Sequence, residues 1–479
     1  MKNKIKAEDL YKLTSLTQLT KIKNSCFFIE TKINKNKNNY VTNISSLNNK
    51  NRYKRWTTSG LNIRPSSDGK NLFYLHLDKK KHFQLRKISL KKKKFKKLTK
   101  GKENIQQLMF SGDKKTLILK TKITNEPAKY RTKKFPEKRD IKKLINKSDG
   151  YGWYPNKVTY YLKEFNPKND KFKTLFSFKH DFFLQDINQN GRLIAYTKAT
   201  QPNLRADYDP TKGLFIFDKL KKTHKWVTKK VKRGIFNNAS FSKNGQYLAI
   251  IGNDNSYPNR TVDNIWIFNN KNNQLKNLSF NKDDIHVGYK GGLIADFVQY
   301  RREKAIFWLN NKTFLFHAYH HGRSQLYKGN SSSVKLINDN KREIYDFCPL
   351  NSYQIFLSSS KQNKVNQLTL LDLKNQTEKK LYNPNLKFEE SHLFSSPKSF
   401  TYKTHNLKNK KQTIEGWYLP PSMKNKKEKT PVILYIHGGP HAAYGETFFF
   451  EFQVLAAKGY GIIFINPCGS TTYGQKFVN

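Results

Sequence analysis

PVILYIHGGPHAAYGETFFFEFQVLAAKGYGIIFINPCGSTTYGQKFVN, Pro431 to Asn479, is the stretch whose reading decides the fold. Val432 to Ile436 is short, apolar and partly β-branched, which predicts a central strand of a parallel sheet buried on both faces. His437-Gly438-Gly439-Pro440 breaks it, and the paired glycines let backbone N–H groups approach a ligand closely. Thr447 to Lys458 reads as a helix packed through Phe448, Phe449, Phe452, Leu455 and Ala456, with Gly459 ending it. Tyr460 to Ile465 is a second buried strand. Strand, glycine turn, helix, strand is a βαβ unit of an open α/β sheet, whose functional loops sit at the carboxyl ends of its strands.

YIHGGPHAAYG and the following INPCGSTTYG resemble the start of the catalytic domain of the prolyl oligopeptidase family, in its acylaminoacyl-peptidase and dipeptidyl-peptidase-like branch. The resemblance implies an α/β-hydrolase in which this loop supplies a backbone N–H to the oxyanion hole, here from Gly438 or Gly439, with His437 and Pro440 shaping the turn. It also implies a Ser, Asp and His triad downstream of the loop. Gly288 and Gly292 have the outer spacing of G-x-S-x-G, but Lys290 stands at the centre, so the sequence contains no nucleophile elbow. No catalytic residue is identified. The triad is expected beyond Asn479, the chain is expected to be truncated within the catalytic domain, and alone it is expected to be inactive.

Upstream, helical signal is sparse. Ala7 to Leu16, with Leu10, Leu13 and Leu16 every third residue, suggests a short entry helix. Thereafter strand-like runs alternate with turns: Pro65 to Gly69, Phe110 to Asp113, Ile187 to Gly191, Phe241 to Gly245 and Trp308 to Asn311 each separate two strands. Offsets of roughly 40 to 80 residues between these turns suit four-stranded β-propeller blades with insertions, and a β-sandwich is the competing architecture. The resemblance adds the family's propeller, often seven-bladed. The expected fold is therefore mainly β: residues 1–399 a propeller of about seven four-stranded blades, and residues 400–479 the first, incomplete part of an α/β-hydrolase domain. Phe400 to Lys403 and Ile414 to Leu419 read as the hairpin that opens the second domain.

Composition narrows the function classes. The net charge of +56, from 91 Lys+Arg against 35 Asp+Glu, invites a nucleic-acid partner. The lysines, however, are spread along the chain and mixed with asparagine, as compositional drift produces, and the run Lys91 to Lys97 reads as a solvated hairpin turn. No nucleic-acid partner, membrane span, metal or cofactor is expected. Three dispersed cysteines, Cys26, Cys348 and Cys468, suit a reducing cytoplasm. His317, His320 and His321 alternate across a strand without a joining carboxylate or cysteine cluster and read as ordinary strand histidines.

Two positions depart from the family's N-P-R-G-S-x-G-Y-G. Cys468 stands at the arginine position and cannot make that residue's forked hydrogen bonds. Thr472 stands at the glycine position and resists positive φ. The function implied is a serine-type peptidase acting on short peptides through a propeller-gated entrance, with peptide substrate and a completing C-terminal fragment as partners. The alternative is a non-enzymatic propeller scaffold carrying a vestigial hydrolase segment.

Overall fold

The computed structural model describes residues 2–48, 51–124, 147–148, 152–154, 157–167, 169–201, 210–258, 260–279, 284–288, 292–301, 304–405, 411–423, 429–439 and 441–479. Strand accounts for 52% and helix for 6% of the described residues, so the structure is mainly β. The strands form antiparallel meanders, most of them four-stranded.

One local device builds the recurring turns. Ser111 N–H donates to the Thr116 carbonyl at 2.8 Å, and its Oγ accepts from Thr116 N–H at 3.1 Å. Ser242 repeats this with Tyr247 at 2.8 and 3.0 Å, and Asn188 repeats it with Leu193 at 3.0 and 2.9 Å through Oδ1. The fourth residue of each turn has positive φ, 61° at Lys114 and 72° at both Gly191 and Gly245. A short polar side chain thus ties the two strand ends together, and glycine takes the left-handed position without steric cost.

The chain divides into two compact units: Ser66–Ser256 with Trp266–Lys276, and Met1–Pro65, Tyr257–Ile265 with Asn277–Asn479. In the first, Asn104–Phe110, Leu117–Thr124, Val158–Asn166 and Lys171–Phe178 form one meander. Phe182–Ile187, Leu193–Ala199, Lys212–Asp218 and Thr223–Trp226 form the next, joined to its successor by a single parallel bridge, Lys212 to Ile235. Aromatic and branched side chains such as Phe182, Tyr196, Phe217 and Ile194 fill the space between such sheets.

In the second unit the meander Ser15–Ile22, Ser25–Asn34, Asn39–Leu47, Tyr53–Arg55 meets the meander Glu343–Pro349, Gln354–Lys361, Lys364–Asp372, Thr377–Tyr382. Leu16, Leu19, Cys26 and Phe28 pack on Cys348, Phe356 and Leu368. Polar side chains then lock the seam. Asn366 Oδ1 accepts from Leu16 N–H, Asp346 Oδ2 from Leu19 N–H at 2.6 Å, and the Leu16 carbonyl accepts from Ser358 Oγ at 2.6 Å. Buried Glu30 receives Tyr382 Oη at 2.8 Å across the same seam.

The C-terminal sheet runs Lys398–His405, Lys411–Leu419, Gly461–Asn466, Val432–Tyr435. The first two strands are the expected hairpin, and the last two pair in parallel, Val432 opposite Gly461, as the βαβ reading requires. Three expectations are corrected. Residues Ala7–Lys12 form a 3₁₀ helix and Ser15 already opens a strand, since leucines every third residue match a period of 3.0 rather than 3.6. The helix is Phe450–Ala457 and excludes Phe448 and Phe449, because Ser360 Oγ accepts Phe448 N–H at 3.1 Å while Asp296 takes the N–H groups of Phe450 and Glu451 at 2.9 and 2.7 Å. The strand Val432–Tyr435 is an edge, and Val432, Leu434 and Ile436 are 51%, 54% and 70% exposed rather than buried.

Among the described residues no helix is long and apolar enough to cross a membrane.

Asn366→Ala leaves Leu16 N–H without its buried acceptor and should cost about 2–3 kcal/mol in chemical denaturation; a loss under about 0.5 kcal/mol would show that the seam does not depend on it. The exposed apolar edge should drive self-association of the purified chain. Light scattering should find oligomers for the native sequence and a shift toward monomer for Leu434→Lys, and a monodisperse native monomer would refute the link.

Candidate functional site

His437, Gly438 and Gly439 follow the parallel strand Val432–Tyr435, at the carboxyl end where open α/β sheets bind ligands. Gly438 faces open space: a Cβ built there would meet nothing within 4 Å. Gly439 has φ 130°, a region that side chains avoid. Among the described residues no hydrogen bond engages the N–H of either glycine. His437 is held from the neighbouring loop, its Nε2 lying 3.0 Å from Ser470 Oγ, and its ring stacks edge-on to Tyr444. Its orientation is that of a loop support, since the Ser470 hydroxyl beside it donates to the Pro467 carbonyl at 2.6 Å and so braces the loop. Pro440 lies outside the described residues, as does Lys290.

The Pro467–Gly474 loop locks this turn in place. Ala442 carbonyl accepts from Thr471 N–H at 3.0 Å, and the His441 ring sits 3.1 Å from the Gly469 carbonyl. Asn466, fully buried at the end of its strand, accepts from Tyr444 N–H at 2.8 Å and donates to the Tyr444 carbonyl at 3.0 Å and to Tyr473 Oη at 2.8 Å. Tyr473 Oη in turn donates to Glu415 Oε2 at 2.7 Å. Burial raises the carboxyls of Glu415 and Glu446 above the ordinary range, and the like charge of Glu415 raises Glu446 further.

Thr472 adopts φ 76° in full burial. The position does take the glycine conformation, and two bonds hold it there: the Thr472 carbonyl accepts from His321 N–H at 2.8 Å and its Oγ1 accepts from Gly322 N–H at 3.0 Å. Gly322 in turn meets Gly445 backbone to backbone. A Cβ on Gly445 would overlap the Gly322 carbonyl, lying 2.6 Å from its carbon, and Glu446 N–H donates to that carbonyl at 2.7 Å. Cys468 is exposed and donates to Gln412 Oε1, with burial raising its thiol above the usual value, which disfavours a thiolate.

His320 contacts Asp284 at 2.9 Å, His321 stacks against Tyr473, and His317 packs on Tyr319 and Phe347. No group of three metal-ligating side chains occurs among the described residues. Sequence reasoning missed Ser470, Asn466, Asp296 and the Gly322–Gly445 approach. Only Ser470, inside the INPCGS run, carried a local signal.

No protein-family model matches the chain. It is 34% identical over 230 residues to an uncharacterized peptidase, YuxL, of Bacillus subtilis, a match that covers 47% of this chain and 34% of that protein. The chain thus spans about a third of the length of that curated relative. Acylaminoacyl peptidase from Pyrococcus horikoshii superposes with a TM-score of 0.77 at 21% identity, over 99% of this chain and 68% of that one. The β-propeller domain of the Trilobed protease from Pyrococcus furiosus, described as having an open velcro topology, superposes at a TM-score of 0.54 and 16% identity, covering 78% of this chain and 97% of that domain. The resemblance to the prolyl oligopeptidase family is borne out: the sequence relatives are peptidases and the structural neighbours are peptidases of that family.

Gly438 and Gly445 should respond very unequally to one added methyl. Gly438→Ala should change stability by less than about 0.5 kcal/mol, whereas Gly445→Ala forces two backbones apart and should cost more than about 3 kcal/mol. Urea denaturation of both variants checks the pair, and equal effects would refute the close-approach account.

Proposed function

We propose that the chain is the propeller and the opening of the catalytic domain of a serine peptidase of the prolyl oligopeptidase family acting on short peptides. Residues 1–399 would form a propeller of about seven blades that restricts access, and residues 400–479 the start of the α/β-hydrolase. Three free cysteines support a reducing cytoplasm. The observation that carries the reading is the pair of N–H groups at Gly438 and Gly439, unengaged among the described residues and beside open space, at the end of a parallel strand.

The chemistry would be acyl transfer. A serine on a further stretch of polypeptide attacks the scissile carbonyl, a histidine takes the hydroxyl proton and delivers it to the leaving amine, and an aspartate orients that histidine. Water then repeats the attack on the acyl-enzyme. The developing oxyanion receives one N–H from Gly438 or Gly439 and a second from the residue after the serine. Such a donor contributes about 3–4 kcal/mol to the transition state without reorganisation. The chain's own part is to hold that donor still, through Ser470 on His437 and Asn466 on Tyr444.

Because the sequence contains no G-x-S-x-G, purified chain should not react with a fluorophosphonate, and stoichiometric labelling would overturn the proposal. Reading the gene past the Asn479 codon in three frames should find a G-x-S-x-G within about a hundred codons. That segment, co-expressed as a separate fragment, should restore labelling. Its absence would leave the non-enzymatic scaffold as the better account.

A further inference from the structure

A cavity of about 300 Å³ opens on the meander Glu343–Tyr382, away from the His-Gly-Gly loop. Arg342, Lys361, Lys364 and Lys380 line it with one carboxylate, Glu378. That carboxylate is already engaged: Arg342 Nη1 reaches its two oxygens at 2.6 and 2.8 Å, and Thr369 Oγ1 donates to it at 2.6 Å. Arg342 is 3% exposed, its Nη2 donates to Asn338 at 2.8 Å, and its Nε has no partner among the described residues. Lys364 approaches Glu389 only at 3.9 Å, and among the described residues no carboxylate pairs with Lys361 or Lys380.

Lysine is abundant everywhere in this chain, so abundance alone says nothing. What distinguishes these residues is concavity and company. Three ammonium groups share one hollow with a buried guanidinium and with the hydroxyl and amide groups of Ser359 and Gln367. Like charges held together in a recess repel unless an anion joins them, and a recess focuses their field on whatever enters. The volume lies at the lower end of that of small-ligand sites. Ser360, also on its wall, accepts Phe448 N–H and lies 3.3 Å from Thr447 Oγ1, so the cavity adjoins the segment that leads into the helix Phe450–Ala457.

We propose that this cavity binds the carboxylate of an acidic peptide, with Lys361 and Lys380 supplying the ion pairs and Gln367 a hydrogen bond to the peptide amide. The proposal rests on the peptidase reading for the class of ligand and deepens it by naming a preference for negative charge. The carboxylate is either a side chain or a chain terminus, and the experiment separates the two.

Calorimetric titration of the full chain would use four probes: Ac-Ala-Ala-Ala-Glu-NH2, its Gln counterpart, Ac-Ala-Ala-Ala-Ala-OH and inorganic phosphate. The Glu peptide should bind at least about tenfold more tightly than the Gln peptide, and more weakly as salt rises. The double variant K361Q/K380Q should abolish that difference. K328Q/K335Q, which removes two charges outside the cavity, should preserve it. Tight binding of the free-acid tetra-alanine peptide would assign the site to chain termini, and tight binding of the Glu peptide alone to side chains; both support the proposal. Failure of both the Glu peptide and the free-acid peptide to bind more tightly than the Gln peptide, equal loss in the two double variants, or binding of phosphate with no peptide would overturn it. None of these outcomes bears on fluorophosphonate labelling, so the site and the peptidase reading fail separately.

Discussion

Where Gly322 meets Gly445, two backbones touch with no side chain between them, and the C-terminal segment is positioned from that point. The Gly322 carbonyl takes Glu446 N–H and its N–H goes to Thr472 Oγ1, so one residue anchors both loops that flank the sheet end. Ile294 N–H donates to Ala443 at 2.9 Å just before it, and Asp296 caps the helix just after it. Buried backbone groups must find partners, and here each is satisfied by a residue far away in sequence. By contrast, the N–H groups of Gly438 and Gly439 are unengaged among the described residues. A rigid frame around an unsatisfied pair of donors is what electrostatic preorganisation requires.

What was legible in the sequence was local. The turns at Ser111, Asn188 and Ser242 announced the meanders because the acceptor, the left-handed residue and both strand ends lie within six residues of one another. The parallel pairing of Val432–Tyr435 with Gly461–Asn466 followed from a glycine-ended helix between two apolar runs. What was hidden was remote. Ser360 and Asp296 decide where the helix starts, yet nothing near Phe448 points to either. Apolar composition likewise said that Val432, Leu434 and Ile436 suit burial, without saying what covers them.

The two departures from the family motif have different physical standing. Thr472 keeps the left-handed backbone of the glycine it replaces and offsets the strain with a hydroxyl bond that glycine could not make. Cys468 supplies a single weak donor to Gln412 where a guanidinium would offer five, so the loop's fixity comes from Asn466 and Tyr473.

The seam between the first and last meanders of the second unit also bears on how the chain comes to be folded. Leu16 and Asn366 are separated by 350 residues. At the usual pace of synthesis the N-terminal strands wait roughly 20–70 s for their partners to leave the ribosome. Throughout that interval Leu16, Leu19 and Phe28 have no apolar surface of the last meander to cover them. Contacts of such long range also close slowly once both sides exist. The first sixty residues thus expose apolar surface throughout synthesis, and the lysines among them would keep the waiting strands apart by mutual repulsion.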